Sequence, residues 1–258
     1  MGVAALITGA SAGLGLEFAK RFAADKIDVV LVARRKDRLD ALAAELVAAH
    51  GIKAHVIAAD LMEPAGARQL VADVNALGVD IGWLVNNAGF GTAGAFHELD
   101  AAKEAAEVQL NCVALIELTR AFVPGMIARK KGRILNIGST AGFQPGPFMA
   151  TYYATKAFVN SFTEALAYEL RGTGVTATVS CPGATATEFA AVAGTDKSKL
   201  FAGTVATADE VAGEAYDAMN EGRAMIVHGL QNKLTAFASG VTPRALVLSM
   251  VADMNRRA

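Results

Sequence analysis

The sequence has few of the residues that build disulfide frameworks and metal centres. Among 258 residues there are two cysteines, Cys112 and Cys181, which lie far apart in apolar surroundings. This favours two buried thiols over a disulfide. The four histidines form no HExxH pattern, and together with the cysteines they form no set with metal-ligand spacing. No resident metal ion is therefore expected.

The sequence also lacks an excess of charge of either sign. It has 24 Lys and Arg residues against 25 Asp and Glu residues, and the basic residues are scattered rather than grouped. No basic patch indicates nucleic acid as a partner. With 53% hydrophobic residues and only six prolines, the composition is typical of a well-packed globular protein and argues against disorder.

Long apolar runs and an N-terminal targeting signal are missing as well. No apolar run approaches the length that spans a bilayer, so no transmembrane segment is expected. The chain begins with the strand-like run Val3-Ala4-Ala5-Leu6-Ile7 and has no charged segment before it, which is not the pattern of a signal peptide. The sequence therefore predicts a soluble, cytoplasmic protein.

Apolar strand-type runs alternate with helical patterns along almost the whole chain. The predicted strands are Val3–Thr8, Asp28–Ala33, Ala54–Ala59, Ile81–Asn86, Arg133–Ser139, Val175–Cys181 and Ala224–His228. The predicted helices are Gly13–Ala24, Lys36–His50, Pro64–Leu77, Asp100–Arg129, Tyr152–Leu170 and Ala208–Glu221. Strands that are apolar on both faces and separated by helices indicate a doubly wound α/β Rossmann fold, with a central, mostly parallel seven-stranded sheet and helices on both faces.

No linker or repeat divides the chain, so we expect one domain over residues 1–258. Within it, the loop-rich segment of about 188–206 is expected to act as a lid over the substrate. After it, about 230–258 form a helical tail. Gly240 and Pro243 divide this tail into two predicted helices, Leu230–Ser239 and Arg244–Asn255.

A glycine-rich turn follows the first strand and opens the first helix. It reads Thr8-Gly9-Ala10-Ser11-Ala12-Gly13-Leu14-Gly15. Glycines allow a tight turn and a close approach of the backbone to a phosphate, and the helix N-terminus offers unpaired N–H groups to a pyrophosphate. The spacing departs from G-x-G-x-x-G, since three residues separate the first two glycines. We predict that Gly9, Ser11, Gly13, Leu14 and Gly15 bind a dinucleotide.

The same turn spells G-x-S-x-G around Ser11, which is the nucleophile pattern of α/β-hydrolases. Asp209 and His228 follow in the order that a catalytic triad of that class would need. However, no element precedes the first strand to complete an oxyanion hole. A serine hydrolase is therefore the distant alternative.

Polar residues at the ends of the next strands predict the remaining cofactor contacts, because the carboxyl edge of a parallel sheet faces the ligand crevice. Arg34 and Arg35 end the second strand where an acidic residue would indicate NAD, so we predict NADP(H) with its 2′-phosphate on these arginines. Asp60 and Leu61 are expected beside the adenine, although Asp60 could instead cap the next helix. The backbone of the run Asn87-Ala88-Gly89 is expected near the ribose.

The pair Tyr152 and Lys156 carries the predicted chemistry. A spacing of four residues places both side chains on one helical face. A nearby ammonium favours the phenolate and lowers the pKa of the phenol, as a general acid/base at neutral pH requires. Ser139 ends the preceding strand and could hold a substrate oxygen. On its own this pair could be two surface neighbours.

Together these motifs resemble the short-chain dehydrogenase/reductase family, in its single-domain, NADP(H)-preferring form. The Thr-Gly-x-x-x-Gly-x-Gly, Asn-Asn-Ala-Gly, Tyr-x-x-x-Lys and Pro-Gly motifs occur in the family's order over essentially the whole chain. The resemblance implies a catalytic tetrad of Asn111, Ser139, Tyr152 and Lys156, with Asn111 holding a water in a proton path and Lys156 also binding the nicotinamide ribose. It further implies that Pro182, Gly183 and Thr185 border the nicotinamide, and that Thr187 contacts its carboxamide or the phosphates.

The sequence as a whole predicts an NADP(H)-dependent reductase of ketones or aldehydes that is reversible as an alcohol dehydrogenase. A non-catalytic NADP(H)-binding regulatory or interaction protein is the alternative. A hydrophobic substrate is expected from a set of apolar residues near the motifs, namely Phe90, Phe143, Met149, Tyr153, Phe189 and Phe201. A homodimer or homotetramer through the helices Asp100–Arg129 and Tyr152–Leu170 is also expected.

Overall fold

Seven parallel strands form one sheet at the centre of the computed structural model, which describes residues 2–194 and 205–256. In chain order they are β1 (Val3–Thr8), β2 (Asp28–Ala33), β3 (Ala54–Ala58), β4 (Asp80–Asn86), β5 (Gly132–Ile137), β6 (Val175–Cys181) and β9 (Met225–Val227). Their spatial order is β3-β2-β1-β4-β5-β6-β9, and every pairing is parallel. Strands β2 and β3 follow on one side of β1 and strands β4, β5, β6 and β9 on the other, and this reversal of the strand order confirms the doubly wound Rossmann fold. A separate parallel pair joins β7 (Thr185–Ala186) to β8 (Ala206–Thr207).

Helices cover both faces of the sheet. They are α1 (Gly13–Ala24), α2 (Lys36–His50), α3 (Gly66–Ala76), α4 (Ala101–Val108), α5 (Leu115–Ala128), α6 (Ala150–Glu169), α7 (Phe189–Ala193), α8 (Ala208–Asn220), α9 (Leu230–Val241) and α10 (Arg244–Asn255). Most predicted bounds differ from these by two residues or fewer.

The central strands have two buried faces because each is covered by helices on both sides. In β1, Ala5 and Ile7 pack with residues of α1, α2 and α8, whereas Ala4 and Leu6 pack with residues of α3 and α5. Neighbouring side chains of a strand point to opposite faces, so a strand in this position must be apolar at every residue. This explains why the strands read as continuous apolar runs rather than as alternating ones.

The predicted helix Asp100–Arg129 differs from the observed structure at its start and in its middle. Asp100 lies before the helix as its N-cap and accepts hydrogen bonds from the backbone N–H groups of Ala102 and Lys103. A π-helical turn, Gln109–Ala114, separates α4 from α5 and carries Asn111. Such wide turns are rare and often lie at functional sites. Hydrophobic periodicity alone does not reveal them.

Two apolar segments differ from their description in the sequence analysis, although the expectation of no transmembrane segment stays a prediction. Gly240 does not interrupt the tail, since α9 continues to Val241 and only the segment before Pro243 separates it from α10. The continuous helical rod Ala101–Ala128 is also, by length and hydropathy alone, sufficient to cross a membrane. About 44% of the most apolar 18-residue stretch of this helix is buried in the protein. Its second part, α5, packs against the sheet, as the core helices of globular domains do.

Candidate active site

A cavity of about 420 Å³ opens along the carboxyl edge of the sheet. It collects residues from the segments that follow β1, β2, β3, β4, β5 and β6. The predicted site residues that line it are Gly9, Ser11, Gly13, Leu14, Arg34, Arg35, Asp60, Leu61, Asn87, Ala88, Gly89, Ser139, Tyr152, Lys156, Pro182, Gly183, Thr185 and Thr187. Two predicted residues, Gly15 and Asn111, do not line it.

The glycine-rich turn owes its shape to the missing side chains. Gly9 and Gly13 have φ values of +68° and +56°, in the left-handed region that favours glycine. A Cβ atom on Gly15 would lie 2.6 Å from Nδ2 of Asn87 and still closer to the carbonyl oxygen of Gly9. Gly15 therefore allows the start of α1 to pack closely on the turn after β1, and its predicted contact with the cofactor stays a prediction. No side chain caps α1, so its first N–H groups point to the cavity and favour an anion there.

We expect Gly15→Ala to destabilise the protein, because the added methyl group meets backbone atoms that cannot move aside. The expected loss is about 1–3 kcal/mol in the free energy of unfolding, measured by urea denaturation. Gly240→Ala is the matched control, since no atom lies within 4 Å of a Cβ at this helical position. That variant should gain about 0.5–1 kcal/mol. Equal stability of Gly15→Ala and the parent would contradict the packing role of Gly15.

Asn87 braces the turn from the neighbouring strand. Its Nδ2 donates to the carbonyl oxygens of Thr8 (2.8 Å) and Gly9 (3.3 Å). The Thr8 hydroxyl accepts from the backbone N–H groups of Asn87 and Ala88, both at 3.0 Å. Asn86 points the other way and donates to Thr119 and Asn136 inside the protein. The side-chain N–H groups of both asparagines are thus bonded within the protein, and the Asn87-Ala88-Gly89 backbone is fixed at the cavity.

The end of β2 carries a polar cluster. Arg35 donates from Nε and Nη2 to the Ser11 hydroxyl at 3.3 and 3.1 Å, and from Nη1 to Glu188 at 2.8 Å. Arg38 donates from Nη1 to the other oxygen of Glu188 at 2.7 Å. The pair of guanidinium groups lowers the pKa of the Glu188 carboxyl. Nη1 of Arg34 lies 3.9 Å from the Met62 sulfur.

Sequence reasoning did not find Arg38 and Glu188 in this cluster. Arg38 lies one helical turn after Arg35 on α2, so its proximity could have been inferred from helical spacing. Glu188 is 153 residues from Arg35 in the chain. No local pattern indicates such a contact.

The hydrolase alternative does not agree with the structure. His228 lies between Ser180 and Glu214, with Nε2 at 2.8 Å from the serine hydroxyl and Nδ1 at 2.7 Å from the carboxylate. Ser180 is fully buried in β6, so no ester could reach it. Asp209 pairs with Arg21 on the surface. The two residues that a Ser11 triad would need, Asp209 and His228, are therefore bonded elsewhere.

Tyr152 and Lys156 lie one turn apart near the start of α6, as predicted. Nζ of Lys156 lies 5.7 Å from the centre of the Tyr152 ring and donates to the carbonyl oxygen of Ile137 at 2.7 Å. The Ser139 hydroxyl accepts from the backbone N–H of Ala141 at 3.0 Å, and this bond fixes it at the end of β5. All three side chains, which the sequence predicts to be catalytic, line the cavity.

The expected lowering of the phenol's pKa by Lys156 is not present. Burial raises the pKa of Tyr152, and a hydrogen bond from Ser139 opposes this only in part. Burial also lowers the pKa of Lys156 to about 8. The main cause of both shifts is the burial of the pair, which disfavours the charged form of each group. The phenol of Tyr152 is thus held in its protonated form.

Asn111 lies behind the cavity wall in the π-helical turn. It is 3% exposed. Its Nδ2 donates to the Phe90 carbonyl (2.9 Å) and to the Thr155 hydroxyl (3.0 Å), while its Oδ1 accepts from the Phe90 N–H at 3.2 Å. These bonds hold the Gly89–Phe90 backbone against α6. That Asn111 holds a water in a proton path stays a prediction.

Two buried acids, Glu104 and Glu107, lie one turn apart on α4 and were not predicted as part of the site. The Thr92 hydroxyl lies within hydrogen-bond distance of both carboxyl groups, and Thr151 donates to Glu104. A hydroxyl has one hydrogen, so Thr92 can donate to only one of these carboxyl groups and can accept a hydrogen bond from the other only if that group is protonated. Glu107 is fully buried and its Oε1 has no partner. Burial raises the pKa of Glu107 to about 7, while Lys156 opposes this shift.

Glu107→Gln is expected to change how stability depends on pH. The pKa of Glu107 in the folded protein, about 7, lies above its ordinary value of 4.5, so the folded state binds more protons between these values. The contribution of Glu107 is therefore fully present below pH 4.5 and is lost as the pH rises through 7. Between pH 5 and 8 the variant should gain about 2 kcal/mol on the parent in urea unfolding. Glu45→Gln on the surface of α2 is the control, and a parental pH slope in Glu107→Gln would contradict the buried proton.

The apolar part of the cavity contains four of the six residues predicted for it, namely Phe90, Met149, Tyr153 and Phe189. Phe143 packs instead against the cluster around Val159, and Phe201 lies outside the described residues. Val192 and Met254 complete the lining and were not predicted. Met254 reaches the cavity because α10 packs over it. In the same part of α10, Oδ1 of Asn255 accepts a hydrogen bond from the Tyr153 hydroxyl at 3.2 Å.

Comparison with known proteins gives the same family that the sequence motifs resemble. Residues 3–198 match the family described as short chain dehydrogenase. The very-long-chain 3-oxoacyl-CoA reductase of Podospora anserina is 38% identical over 177 residues, which cover 67% of this chain and 52% of that protein. The chain thus spans about half the length of the curated relatives it matches.

Two solved structures extend the similarity. A short-chain dehydrogenase from Sphingobium yanoikuyae, solved in complex with NADPH, is 35% identical with a TM-score of 0.82, covering 93% of this chain and 95% of that one. The bulky-bulky ketone specific alcohol dehydrogenase from Comamonas testosteroni is 32% identical with a TM-score of 0.78, covering 93% of each chain. The family match covers most of the chain, and the sheet order and the motif positions agree with it. The chain belongs to the short-chain dehydrogenase family.

Proposed function

We propose that this protein is an NADP(H)-dependent reductase of ketones or aldehydes that also runs in reverse as an alcohol dehydrogenase. The observation that carries the proposal is the layout of one continuous cavity. Arg34, Arg35 and Ser11 lie at its phosphate-binding part, while Ser139 and Tyr152 lie at its reactive part. A dinucleotide that spans the strand reversal would connect the two.

NADP(H) fits the residues that are present. The glycine-rich turn packs closely on the Asn87-Ala88 segment, with no room for a Cβ atom on Gly9 or Gly15, and the N-terminus of α1, which no side chain caps, favours a pyrophosphate. The guanidinium group of Arg35 beside Ser11 suits a 2′-phosphate, because arginine binds phosphate oxygens with two parallel donors. The NADPH complex of the Sphingobium yanoikuyae relative supports the same cofactor. When bound, the nicotinamide supplies the hydride.

The protein side chains then provide the proton and the orientation. Ser139 donates a hydrogen bond to the carbonyl oxygen and polarises it. Tyr152 gives its proton to the same oxygen as negative charge develops there. The raised pKa makes Tyr152 a weaker acid than a free phenol, but it keeps the proton in place, and the alkoxide that forms is a stronger base than phenolate and can take it. Lys156 places a positive charge beside the ring and stabilises the phenolate that forms.

We propose a hydrophobic carbonyl compound as the substrate. Phe90, Met149, Phe189, Val192 and Met254 make the reactive part of the cavity apolar. The names of the relatives, a 3-oxoacyl-CoA reductase and a bulky-bulky ketone specific alcohol dehydrogenase, support substrates of this kind. The test is consumption of NADPH and of NADH against ketones, aldehydes and 3-oxoacyl thioesters. Binding of NADPH without reduction of any member of the panel would favour the non-catalytic alternative.

Some expectations stay predictions for this chain. A homodimer or homotetramer through the helices around Asn111 and Tyr152, a cytoplasmic location and the lid role of about 188–206 belong to this group. Residues 195–204 of that lid lie outside the described residues.

A further inference from the structure

Glu188 binds Arg35, which the proposed function assigns to the cofactor, and also Arg38. Its carboxylate accepts from Arg35 at 2.8 Å and from Arg38 at 2.7 Å, one guanidinium group for each oxygen. Arg35 uses its other edge on the Ser11 hydroxyl. Ser11, Arg35 and Glu188 all line the cavity. An anionic group is thus already present where the 2′-phosphate of NADP(H) is expected.

A phosphate and this carboxylate compete for the same donors. Both need the guanidinium N–H groups of Arg35, and two anions side by side would repel each other. Glu188 is half-exposed, as are Arg35 and Arg38, with side-chain exposures between 41% and 49%. Ion pairs with this exposure are weak, so an arriving dianion can displace the carboxylate at low cost.

We propose that Glu188 is a displaceable counter-ion that fills the 2′-phosphate site and thereby sets the affinity for phosphorylated cofactors. This inference rests on the proposed function, since it takes NADP(H) as the ligand. Binding of a 2′-phosphate exchanges one anion for another on Arg35 and Arg38. An unphosphorylated cofactor leaves the Glu188 ion pairs intact. Glu188 therefore weakens NADP(H) binding and has little effect on NAD(H) binding.

Glu188 lies next to a residue that contacts Tyr152, so cofactor binding is a cleaner measurement of its role than turnover. The next residue, Phe189, begins α7, and its ring centre lies 5.1 Å from that of Tyr152. A substitution at Glu188 can therefore also affect turnover through Phe189. Equilibrium binding to the protein without substrate avoids this complication.

The experiment compares ligand binding by calorimetry in the parent, Glu188→Gln and Asp209→Asn. Asp209 is the matched control, because it is an exposed acid paired with an arginine outside the cavity, and its variant removes the same single charge. The ligands are NADP⁺, NAD⁺, 2′,5′-ADP and 5′-AMP. We expect Glu188→Gln to bind NADP⁺ and 2′,5′-ADP about five-fold more tightly. NAD⁺ and 5′-AMP should change by less than about two-fold, and Asp209→Asn should match the parent throughout.

Three outcomes would overturn the inference while leaving the proposed function intact. Weaker NADP⁺ binding by Glu188→Gln would mean that Glu188 orders the arginines for the phosphate. An equal gain for NADP⁺ and NAD⁺ would mean a general charge effect, and unchanged affinities would mean that Glu188 does not compete. Failure of the parent protein to bind NADP⁺ would overturn this inference together with the proposed function.

Discussion

Tyr152→Phe is expected to lower the turnover of NADPH-dependent carbonyl reduction by about 10²–10⁴-fold, the usual contribution of a general acid. The variant loses the proton donor of the proposed reaction, which lies with Ser139 in the reactive part of the cavity. The aromatic ring itself remains, so its packing against Phe189 and Tyr153 should persist. Stopped-flow absorbance at the NADPH band would measure the loss.

The adjacent tyrosine provides the control for this experiment. Tyr153→Phe removes a hydroxyl that bonds Asn255 on α10, not the reacting oxygen. We expect it to retain turnover within about ten-fold of the parent, since only one hydrogen bond outside the reaction is lost. NADPH binding by fluorescence should be close to parental in Tyr152→Phe. Near-parental turnover in Tyr152→Phe would remove the phenol from the mechanism.

Lys156→Met is expected to stabilise the nucleotide-free protein while it abolishes reduction. Lys156 is 7% exposed, and burial lowers its pKa from 10.5 to about 8. This shift corresponds to about 3 kcal/mol of unfavourable burial of the charge at neutral pH. Loss of the hydrogen bond to Ile137 offsets about 1 kcal/mol of this. The variant should therefore gain about 2 kcal/mol in the free energy of unfolding at pH 7.

The pH dependence of that gain separates charge burial from packing. Below about pH 8 the lysine is charged in the folded and the unfolded states, and the full cost is present. Between 8 and 10.5 the folded state releases its proton first, so the stability of the parent rises with pH relative to Lys156→Met. Urea unfolding at pH 7 and pH 10 should show the gap closing. A gap that is the same at both pH values would mean that the gain comes from packing alone.

Much of the site could be predicted from sequence because a parallel sheet collects the ends of its strands at one edge. Ser11, Arg35, Asn87, Ser139 and Gly183 are distant in sequence, yet each follows a strand of the sheet. Once the strands were identified, their meeting at one cavity followed from topology. Tyr152 and Lys156 were found in the same way from helical spacing.

The parts that were not predicted depend on contacts between distant segments. The ion pairs of Glu188 join residues about 150 positions apart. The buried pair Glu104 and Glu107 looks like part of a solvated helix in sequence, because nothing local shows that Thr92 and Thr151 cover it.

The direction of the Tyr152 shift was mispredicted for a related reason. Helical spacing shows that an ammonium is near the phenol, but it does not show how dry the surroundings are. Burial outweighs the neighbouring charge at this position and raises the pKa. The π-helical turn at Asn111 likewise leaves the apolar pattern of its helix unchanged, so the pattern predicted an unbroken helix.

The most direct test of the proposed reaction is the fate of the hydride. Incubation with NADPH that carries deuterium at nicotinamide C4, in separate stereospecifically labelled forms, and with the panel of hydrophobic ketones and 3-oxoacyl thioesters is followed by mass spectrometry of the products. We predict an alcohol with one deuterium on the former carbonyl carbon from one of the two labelled forms, and about 10²–10⁴-fold slower formation of it by Tyr152→Phe. Bound NADPH with no deuterated alcohol from any carbonyl compound would contradict the account.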